Sequence, residues 1–551
     1  MHRLLFGGWR ADPGLAWASI RGLPVGHMQA HDPGALFDAL PDGSTAAGGG
    51  GGLGREAGDP VGGDGYLRTE WTDGGWADSE SRLIRWACTA LEAAQAQVVA
   101  LSQAGELAAG GTAGGGGTAG GGGAAGGGGT AGGRGTAGGR GIAGGGAAVR
   151  LATARSESTT ELLCAELAAD GLPVSLAVAG QLLTEIIGPR PRHAAQAAEI
   201  RAARDEAVLR HAPAGVTTDL RSPLQVRALL RSAGIDVPDT RAWRLEPFAE
   251  TQPLVAALLE WRKAERIATT YGYSWLDACV GADGRLRGAW TGCDGAAGRM
   301  TASAGLHNMP AILRKAVIAE DGHVFVRADL GQIEPRVLAA VSGDRALIAA
   351  TEADDLYLPV AGQLGVDRPT AKVAMISAMY GGTAGHGGEA LKRMKAAYPV
   401  AMGYLDDAER QAKAGRDLRT YGGRRVRMSG GALDGDDPGR VRGRGRYGRN
   451  ALIQGAAAEL FKMWALTVRA RGAALDARVV LCLHDELLVH VPERTADAAA
   501  RLVADCLEET ARRWAPGRTR FLAEIGTLRC WAQAKPAMLE TRPATGTDTV
   551  T

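Results

Sequence analysis

Two short apolar runs separated by three polar residues constrain the fold of this 551-residue chain more than any other feature. The runs are residues 479–483 and 487–491, and His484-Asp485-Glu486 lies between them. Apolar, β-rich runs of this length joined by a short polar segment predict a β-hairpin. The tip could be an ordinary polar turn, but Gly or Asn is more usual there than a histidine beside two acidic residues.

A third apolar run, residues 324–328, predicts a strand that ends at Asp329. The helical pattern of residues 333–341 follows it. A carboxylate at a strand end is well placed to project into a cleft. Asp is also a common helix N-cap, so this segment alone leaves both interpretations open.

A helix-like stretch, residues 368–380, separates the two acidic positions. Arg368, Lys372, Ile376 and Tyr380 recur every four residues, so a helix places them on one face. That face could simply be solvated, but a tyrosine beside two cations favours a surface that contacts phosphates and bases. Two carboxylates that can hold metal ions and a basic helix that can hold phosphates are the groups that nucleotidyl transfer requires.

Composition narrows the class of protein further. The formal net charge is only +2, so any surface for nucleic acid must be local. The seven cysteines include no Cys-x-x-Cys pair, which indicates neither a zinc site nor a disulfide framework and suits a reducing compartment. No apolar run reaches membrane-spanning length, and residues 1–10 lack a secretory pattern. These features predict a cytoplasmic enzyme without a membrane partner.

The chain divides at residues 108–148, which are nearly all Gly, Ala and Thr with a six-residue period. This composition predicts a flexible linker. From residue 286 onward, short apolar strands alternate with helices, as expected for the α+β class. Outside that part, the helix-like segments are 79–101, 161–183, 194–210, 222–231 and 254–270.

Taken together and in this order, the motifs resemble those of the family A DNA polymerases, the bacterial DNA polymerase I type. Two further stretches carry the resemblance: Gly298-Arg299, followed by Asn308-Met-Pro, and Arg446, Asn450 and Gln454 at a spacing of four. The match covers roughly residues 155–535. It is highly specific, because five separate motifs fall in the family's order. The sequence is especially similar to shortened proteins of high-GC bacteria described as bifunctional 3′–5′ exonuclease/DNA polymerase.

Some positions depart from the family's pattern. Ile376 replaces the usual aromatic residue four positions after the helix lysine, which implies a changed sensing of the nucleotide sugar. Leu330-Gly331 replaces Tyr-Ser after the first acidic residue, and His307 replaces a Gln. The charged residues of the motifs are intact.

The resemblance implies a right-hand polymerase fold of the α+β class, with an antiparallel palm sheet, helical fingers and a helical thumb. By analogy, residues 1–107 form a degenerate exonuclease-like region and residues 538–551 a disordered tail. The implied subdomains are the thumb at 155–285, the first palm part at 286–350, the fingers at 351–425 and the second palm part at 426–535.

The resemblance also implies a role for each motif residue in template-directed DNA synthesis at a primer 3′ end. Asp329 and Asp485 would hold two Mg²⁺ ions, with Glu486 as an accessory ligand, and Arg368 and Lys372 would complete the catalytic set. The implied nucleotide-binding residues are Arg368, Lys372, Ile376, Tyr380, Glu334 and Gln332. The implied DNA-binding residues are Arg299, Asn308, Arg336, Arg446, Asn450, Gln454 and His484. The partners would be primer–template DNA and deoxynucleoside triphosphates, and a monomer is expected.

A cluster of eight arginines against three aspartates in residues 421–450 adds a local argument for DNA. Such clusters are often solvated loops, but this one runs into the template motif, so contact with backbone phosphates is favoured.

Residues 1–107 contain one Asp-x-Glu, Asp78-Ser79-Glu80, which opens a helix-like segment and reads better as a helix cap than as an exonuclease site. We therefore expect no proofreading. Two alternatives remain: a catalytically weakened protein of the same fold that binds primer–template DNA, and, less favoured, a metal-dependent phosphohydrolase, which would leave residues 368–380 unexplained.

Overall fold

The computed structural model of the chain describes residues 147–293, 297–381, 387–428, 437–517 and 519–534, with isolated positions between 17 and 96. The predicted linker, the Asp78-Ser79-Glu80 segment and the predicted C-terminal tail therefore lie outside the described residues, apart from the last two linker positions. The exonuclease-like character of residues 1–107 also stays a prediction.

Helices form the first part of the described chain. In order they are α1 (Ala147–Asp170), β1 (Leu172–Pro173), α2 (Leu176–Ile187), α3 (Ala194–Leu209), α4 (Pro223–Ser232), α5 (Ala242–Leu245), α6 (Pro253–Thr270) and α7 (Tyr273–Cys279). The α4 helix begins as its sequence predicts, because the Ser222 side chain accepts a hydrogen bond from the Gln225 amide and Pro223 occupies the first turn.

The predicted single helix over 161–183 is wrong, because α1 ends at Asp170 and α2 begins only at Leu176. Gly171 has a φ of +69°, and a Cβ there would lie 2.9 Å from the Arg287 side chain and 3.0 Å from the Leu286 carbonyl oxygen. A glycine permits the chain to turn here, because other residue types rarely adopt that backbone conformation. Ser175 then caps α2 by accepting a hydrogen bond from the Val178 amide at 3.3 Å.

Strands and helices alternate in the second part, as predicted. In order they are β2 (Arg285–Leu286), β3 (Trp290–Thr291), β4 (Thr301–Ala302), β5 (His323–Leu330), α8 (Ile333–Ser342), α9 (Arg345–Ala350), α10 (Tyr357–Leu364), α11 (Arg368–Tyr380), α12 (Gly387–Ala397), α13 (Pro399–Lys413), β6 (Leu418–Arg419), β7 (Arg425–Val426), α14 (Pro438–Gly472), β8 (Arg478–Leu483), β9 (Glu486–Pro492), α15 (Ala496–Trp514) and β10 (Ala523–Leu528).

A four-stranded antiparallel sheet in the order β10-β5-β9-β8 organises this part of the molecule. Side chains alternate between its faces, so Val324, Val326 and Ala328 of β5 enter the same buried cluster as α14 and α15 residues such as Trp464 and Trp514. On the other face, Phe325 packs in a second cluster with Leu488 and Trp531. The α+β class predicted from the sequence is confirmed.

None of the helices in the described ranges is long and apolar enough to cross a membrane.

Candidate active site

One face of the sheet carries the charged residues of the two predicted strand ends. In the register of β5 and β9, Asp329 is opposite Glu486, Arg327 is opposite Leu488 and Phe325 is opposite His490. Residues two apart on a strand share a face, so Arg327 is the same-face neighbour of Asp329 and lies diagonally across from Glu486. The sheet thus brings an arginine between two carboxylates at one end of this face.

Asp485 lies at the tip of the β8–β9 hairpin, which the sequence predicted. The tip is shorter than expected, because Leu483 pairs with Glu486 and only His484 and Asp485 lie outside the strands. His484 has a φ of +56°, the left-handed conformation common at tight turns. The Asp485 carbonyl oxygen accepts a hydrogen bond of 3.0 Å from the Leu330 amide. This bond joins the ends of the two predicted motif strands, so Asp329 and Asp485 are placed at the same edge of the sheet.

Burial raises the pKa of the Asp485 carboxyl, and Glu334 and Glu486 raise it further, while Arg299 opposes the shift. Burial, with repulsion from Arg299, lowers the pKa of His484. Both shifts have the direction that desolvation causes, because burial disfavours the charged form of each group.

Glu486 is paired with an arginine on the face of the sheet that carries Asp329. The sequence comparison implied an accessory metal ligand, but the Glu486 side chain is buried and its Oε1 accepts hydrogen bonds from Arg327 Nε at 3.0 Å and Trp531 Nε1 at 2.7 Å. Arg327 also forms an ion pair with Asp329. Glu486 therefore serves as the buried counter-ion of Arg327, and its role as an accessory metal ligand stays a prediction.

A cavity of about 320 Å³ opens between the hairpin tip and α11, and its walls include Asp485, His484 and Ile376. Glu334 also lines the cavity, and its carboxylate accepts hydrogen bonds from Tyr380 Oη at 3.1 and 3.2 Å and from Arg299 at 3.1 Å. These contacts bring together three predicted nucleotide- or DNA-binding residues from separate motifs.

The α11 helix spans the predicted residues, with Asp367 accepting a hydrogen bond from the Thr370 amide at its start and Gly381 at its end. Its exposed face contains Arg368, Lys372, Ile376 and Tyr380, as the four-residue spacing predicts. Met375, Ala378 and Met379 of the opposite face are buried in the core. The four predicted nucleotide-binding side chains of this helix are thus available to a ligand.

Two of the predicted nucleotide-binding residues are linked through Asp355. Arg368 forms an ion pair with Asp355, and Gln332 Nε2 donates a 2.8 Å hydrogen bond to the same carboxylate. Gln332 Oε1 also accepts a hydrogen bond from the Leu356 amide at 2.8 Å. Gln332 therefore fixes the loop that positions Arg368, which is a structural contact that the sequence did not reveal.

The prediction that Arg336 binds DNA is wrong, because its side chain is completely buried. Its guanidinium donates hydrogen bonds of 2.6–2.9 Å to four backbone carbonyl oxygens, those of Thr351, Ala353, Asp354 and Arg520. Arg336 ties α8 to two loops and presents no atom to a ligand.

The other predicted DNA-binding residues lie around the cavity and along α14. Asn308, Arg446 and His484 are exposed, and Asn450 is partly buried. Gln454 donates a 3.2 Å hydrogen bond to Tyr380 Oη, which connects α14 with the cavity. His307, at the position where the family has a Gln, packs edge-on against His484 with ring centroids 5.8 Å apart.

The arginine cluster divides into two groups of four. Arg424, Arg444 and Arg449 are buried, and Arg425 pairs with Asp417 at β7. Arg444 donates hydrogen bonds to the carbonyl oxygens of Ala412 and Lys413, while Arg449 pairs with Asp406 and Glu409. The exposed members are Arg427, Arg440, Arg442 and Arg446. The prediction of phosphate contacts therefore applies to half of the cluster at most.

The sequence did not identify a third acidic side chain at the end of the sheet that carries Asp329 and Asp485. Glu524 on β10 is directly opposite Asp329 in the register and is exposed. It lies on a short strand far along the chain, and no motif marks it. Only strand pairing shows that it is a neighbour of Asp329.

The residues present fit divalent metal ions. Asp329 is partly exposed, Asp485 is more deeply set, and both lie at the edge joined by the Leu330–Asp485 hydrogen bond. Carboxylate oxygens are the ligands that Mg²⁺ prefers.

An antiparallel sheet with acidic residues at one end, facing a helix with two exposed cations, agrees with the right-hand fold of the α+β class that the resemblance implied. The sequence pattern of DNA polymerase family A matches residues 192–531, more than half of the chain. The chain therefore belongs to DNA polymerase family A, and the resemblance inferred from its motifs is confirmed. Members of this family use divalent metal ions.

Individual relatives agree with this assignment. The chain is 31% identical to DNA polymerase I of Chloroflexus aurantiacus over 313 residues, which are 51% of this chain and 33% of that protein. It is 28% identical to the thermostable DNA polymerase I of Thermus aquaticus over 328 residues, 54% of this chain and 38% of that protein. The chain thus spans little more than a third of the curated relatives it matches.

A solved structure shares the fold. The POL domain of Pol1 from M. smegmatis, in complex with DNA primer-template and dNTP, aligns with a TM-score of 0.58 at 26% identity. The alignment covers 69% of this chain and 70% of that one.

Proposed function

We propose that this protein is a DNA-directed DNA polymerase that adds deoxynucleotides to a primer 3′ end. The observation that carries the proposal is the hydrogen bond from the Leu330 amide to the Asp485 carbonyl oxygen, which sets the two family-motif acidic residues at one edge of the sheet. The M. smegmatis relative binds primer–template DNA and dNTP, so the same two ligands are proposed here.

Asp329 and Asp485 would hold two Mg²⁺ ions, which supply activation of the primer hydroxyl and neutralisation of the triphosphate when bound. Around them, Arg368 and Lys372 neutralise the negative charge of the phosphates from the exposed face of α11. Of the two cations, only Arg368 has an ion pair among the described residues, and its partner Asp355 competes with phosphate for it.

Glu334 and Tyr380 shape the nucleotide pocket. Because the Glu334 carboxylate is held from two sides by Tyr380 and Arg299, it is fixed in the cavity and can crowd a ribose 2′-hydroxyl. Ile376 exposes an aliphatic side chain on the same wall, which leaves the sugar less enclosed than an aromatic ring does.

Primer extension with Mg²⁺ and the four deoxynucleoside triphosphates tests the proposal. Asp485→Ala should abolish the product and leave the affinity for primer–template DNA nearly unchanged, because the carboxylate acts on the reacting phosphate. Asp236→Ala is the matched control, since Asp236 is a highly exposed acidic residue in the helical N-terminal part. Extension that persists in Asp485→Ala contradicts the assignment.

A second candidate function, a catalytically weakened protein that binds primer–template DNA, is favoured by one observation. Asp329 is engaged by the neighbouring Arg327, which competes with a metal ion for the carboxylate. Wild-type protein that binds primer–template DNA but gives no extension at any Mg²⁺ or Mn²⁺ concentration supports this candidate instead.

We further propose that the protein acts as a cytoplasmic monomer without proofreading. Loss of a labelled 3′-terminal nucleotide on incubation with Mg²⁺ alone would contradict the last point.

A further inference from the structure

The sheet face that carries Asp329 at one end has a second polar cluster at its other end. Glu320, His323 and His490 each offer one ligand atom there, and these three atoms all lie within 4.8 Å of one another. His323 and Asp329 are six positions apart on β5, roughly 20 Å at about 3.3 Å per residue. The cluster is therefore distinct from the proposed catalytic site.

Strand register explains why the histidines meet. Phe325 is opposite His490, so His323 lies diagonally across from His490 on the same face. Their rings stack with centroids 4.6 Å apart, and the His490 side chain is almost completely buried. Glu320 joins them from the turn before β5, where its amide donates a long hydrogen bond of 3.4 Å to His490 Nε2. A metal ion on that nitrogen takes the same lone pair, so metal binding replaces this bond.

The surrounding contacts orient these side chains as they do around metal ligands. His323 Nδ1 lies 3.1 Å from the Asp321 carbonyl oxygen, so a proton on Nδ1 leaves the Nε2 lone pair available. Arg285 holds Glu320 Oε1 at 2.6 Å, which leaves Oε2 on the side of His490 Nε2 at 4.0 Å. Carboxylate–arginine and histidine–carbonyl contacts of this kind fix ligand geometry.

The charges around the cluster do not exclude a cation. Four arginines line the adjoining cleft of about 550 Å³, but each has a carboxylate partner. The pairs are Arg285–Glu320, Arg287–Asp283, Arg478–Asp170 and Arg494–Asp476.

We propose that Glu320, His323 and His490 bind one divalent transition-metal ion, of which zinc fits the donor set best. Two imidazole nitrogens and one carboxylate oxygen make a three-ligand zinc site, and the cleft supplies water for the fourth position. Ligand atoms of a tetrahedral zinc site lie about 3.3 Å apart at bond lengths of about 2.0–2.1 Å, so the half-exposed His323 ring rotates out of the stack to close the site. The bound ion joins the turn before β5 to β9 and stabilises that end of the sheet.

Zinc binding to the full chain tests this proposal without any reading of polymerase activity. The Asp485→Asn variant is the background, so that zinc at the proposed catalytic site does not contribute. We expect it to retain one equivalent of zinc after dialysis and to gain a few degrees in Tm on zinc addition. His323→Gln in that background should lose both effects, because it removes one of three ligands at a position that is not deeply buried.

His211→Gln is the matched control, since His211 is an exposed histidine outside the cluster, and it should behave as the background does. Equal zinc content in His323→Gln and His211→Gln would overturn the proposal, as would no zinc bound by the background protein. Either result leaves the polymerase proposal untouched, because that proposal is tested by primer extension.

Discussion

Replacing Arg327 with Met tests whether the buried ion pair beneath the catalytic edge stabilises the fold. The Arg327 and Glu486 side chains are 5% and 7% exposed, so the variant leaves a buried carboxylate with Trp531 Nε1 as its remaining hydrogen-bond donor among the described residues. Removing one partner of a buried pair costs about 3–5 kcal/mol, because the other charge stays desolvated. Losing the ion pair of Arg327 with Asp329 adds less to this cost, because the Asp329 side chain is 28% exposed.

Urea denaturation followed by tryptophan fluorescence measures this loss as a fall in the free energy of unfolding. Arg327→Met with Glu486→Gln should recover most of the loss, since the only charge that then loses its arginine is that of the partly exposed Asp329. Arg231→Met removes an exposed ion pair with Asp236 and should cost less than about 1 kcal/mol. If Arg327→Met costs no more than Arg231→Met, or if the double variant is no more stable than the single one, the reasoning fails.

Three other substitutions have distinct expected outcomes. Arg336→Lys, which cannot reach all four carbonyl oxygens, should lower the free energy of unfolding by about 2–5 kcal/mol in urea denaturation, with DNA affinity of the folded protein retained. A loss of affinity without a loss of stability contradicts this. Glu334→Ala should lower the preference for deoxyribonucleotides over ribonucleotides at least about tenfold in primer extension, whereas Tyr380→Phe, which keeps the carboxylate, should lower it less; equal preference in Glu334→Ala and wild type refutes the steric role. Burial raises the pKa of Glu459 from 4.5 to about 7, so the folded state keeps the proton that the unfolded chain has lost. Stability is therefore greatest below pH 4.5 as far as this group is concerned, and falls by roughly 3 kcal/mol as pH rises through 7. Glu459→Gln should flatten that pH dependence of the unfolding free energy, and an unchanged profile would exclude Glu459 as its source.

The elements that carry the site could be predicted because their patterns are local. The alternation of residues 324–328, the polar tip between two apolar runs and the four-residue spacing from Arg368 to Tyr380 each depend on neighbours in the sequence. The structure has β5, the hairpin and α11 at those positions. The break at Gly171 was missed although its signal is local. Gly171 with Pro173 two positions later is a common end of a helix.

Contacts between distant segments could not be predicted in the same way. Arg336 matches a motif position, yet its burial depends on carbonyl oxygens of two loops that converge only in the fold. Arg327 reads as one charge in an apolar strand, and its partner Glu486 becomes its neighbour through strand register. The same pairing places Glu524 beside Asp329. Residue types therefore indicated which functional groups are present, whereas strand register determined which of these side chains are neighbours.

The alternating face of β5 limits how this strand can change during evolution. His323, Arg327 and Asp329 all project to one side because an even number of residues separates them. Inserting or deleting a single amino acid between the first and the last would send one end into the apolar layer beneath α14 and α15. Substitutions along this segment can therefore accumulate one at a time, but its length can be altered only in steps of two.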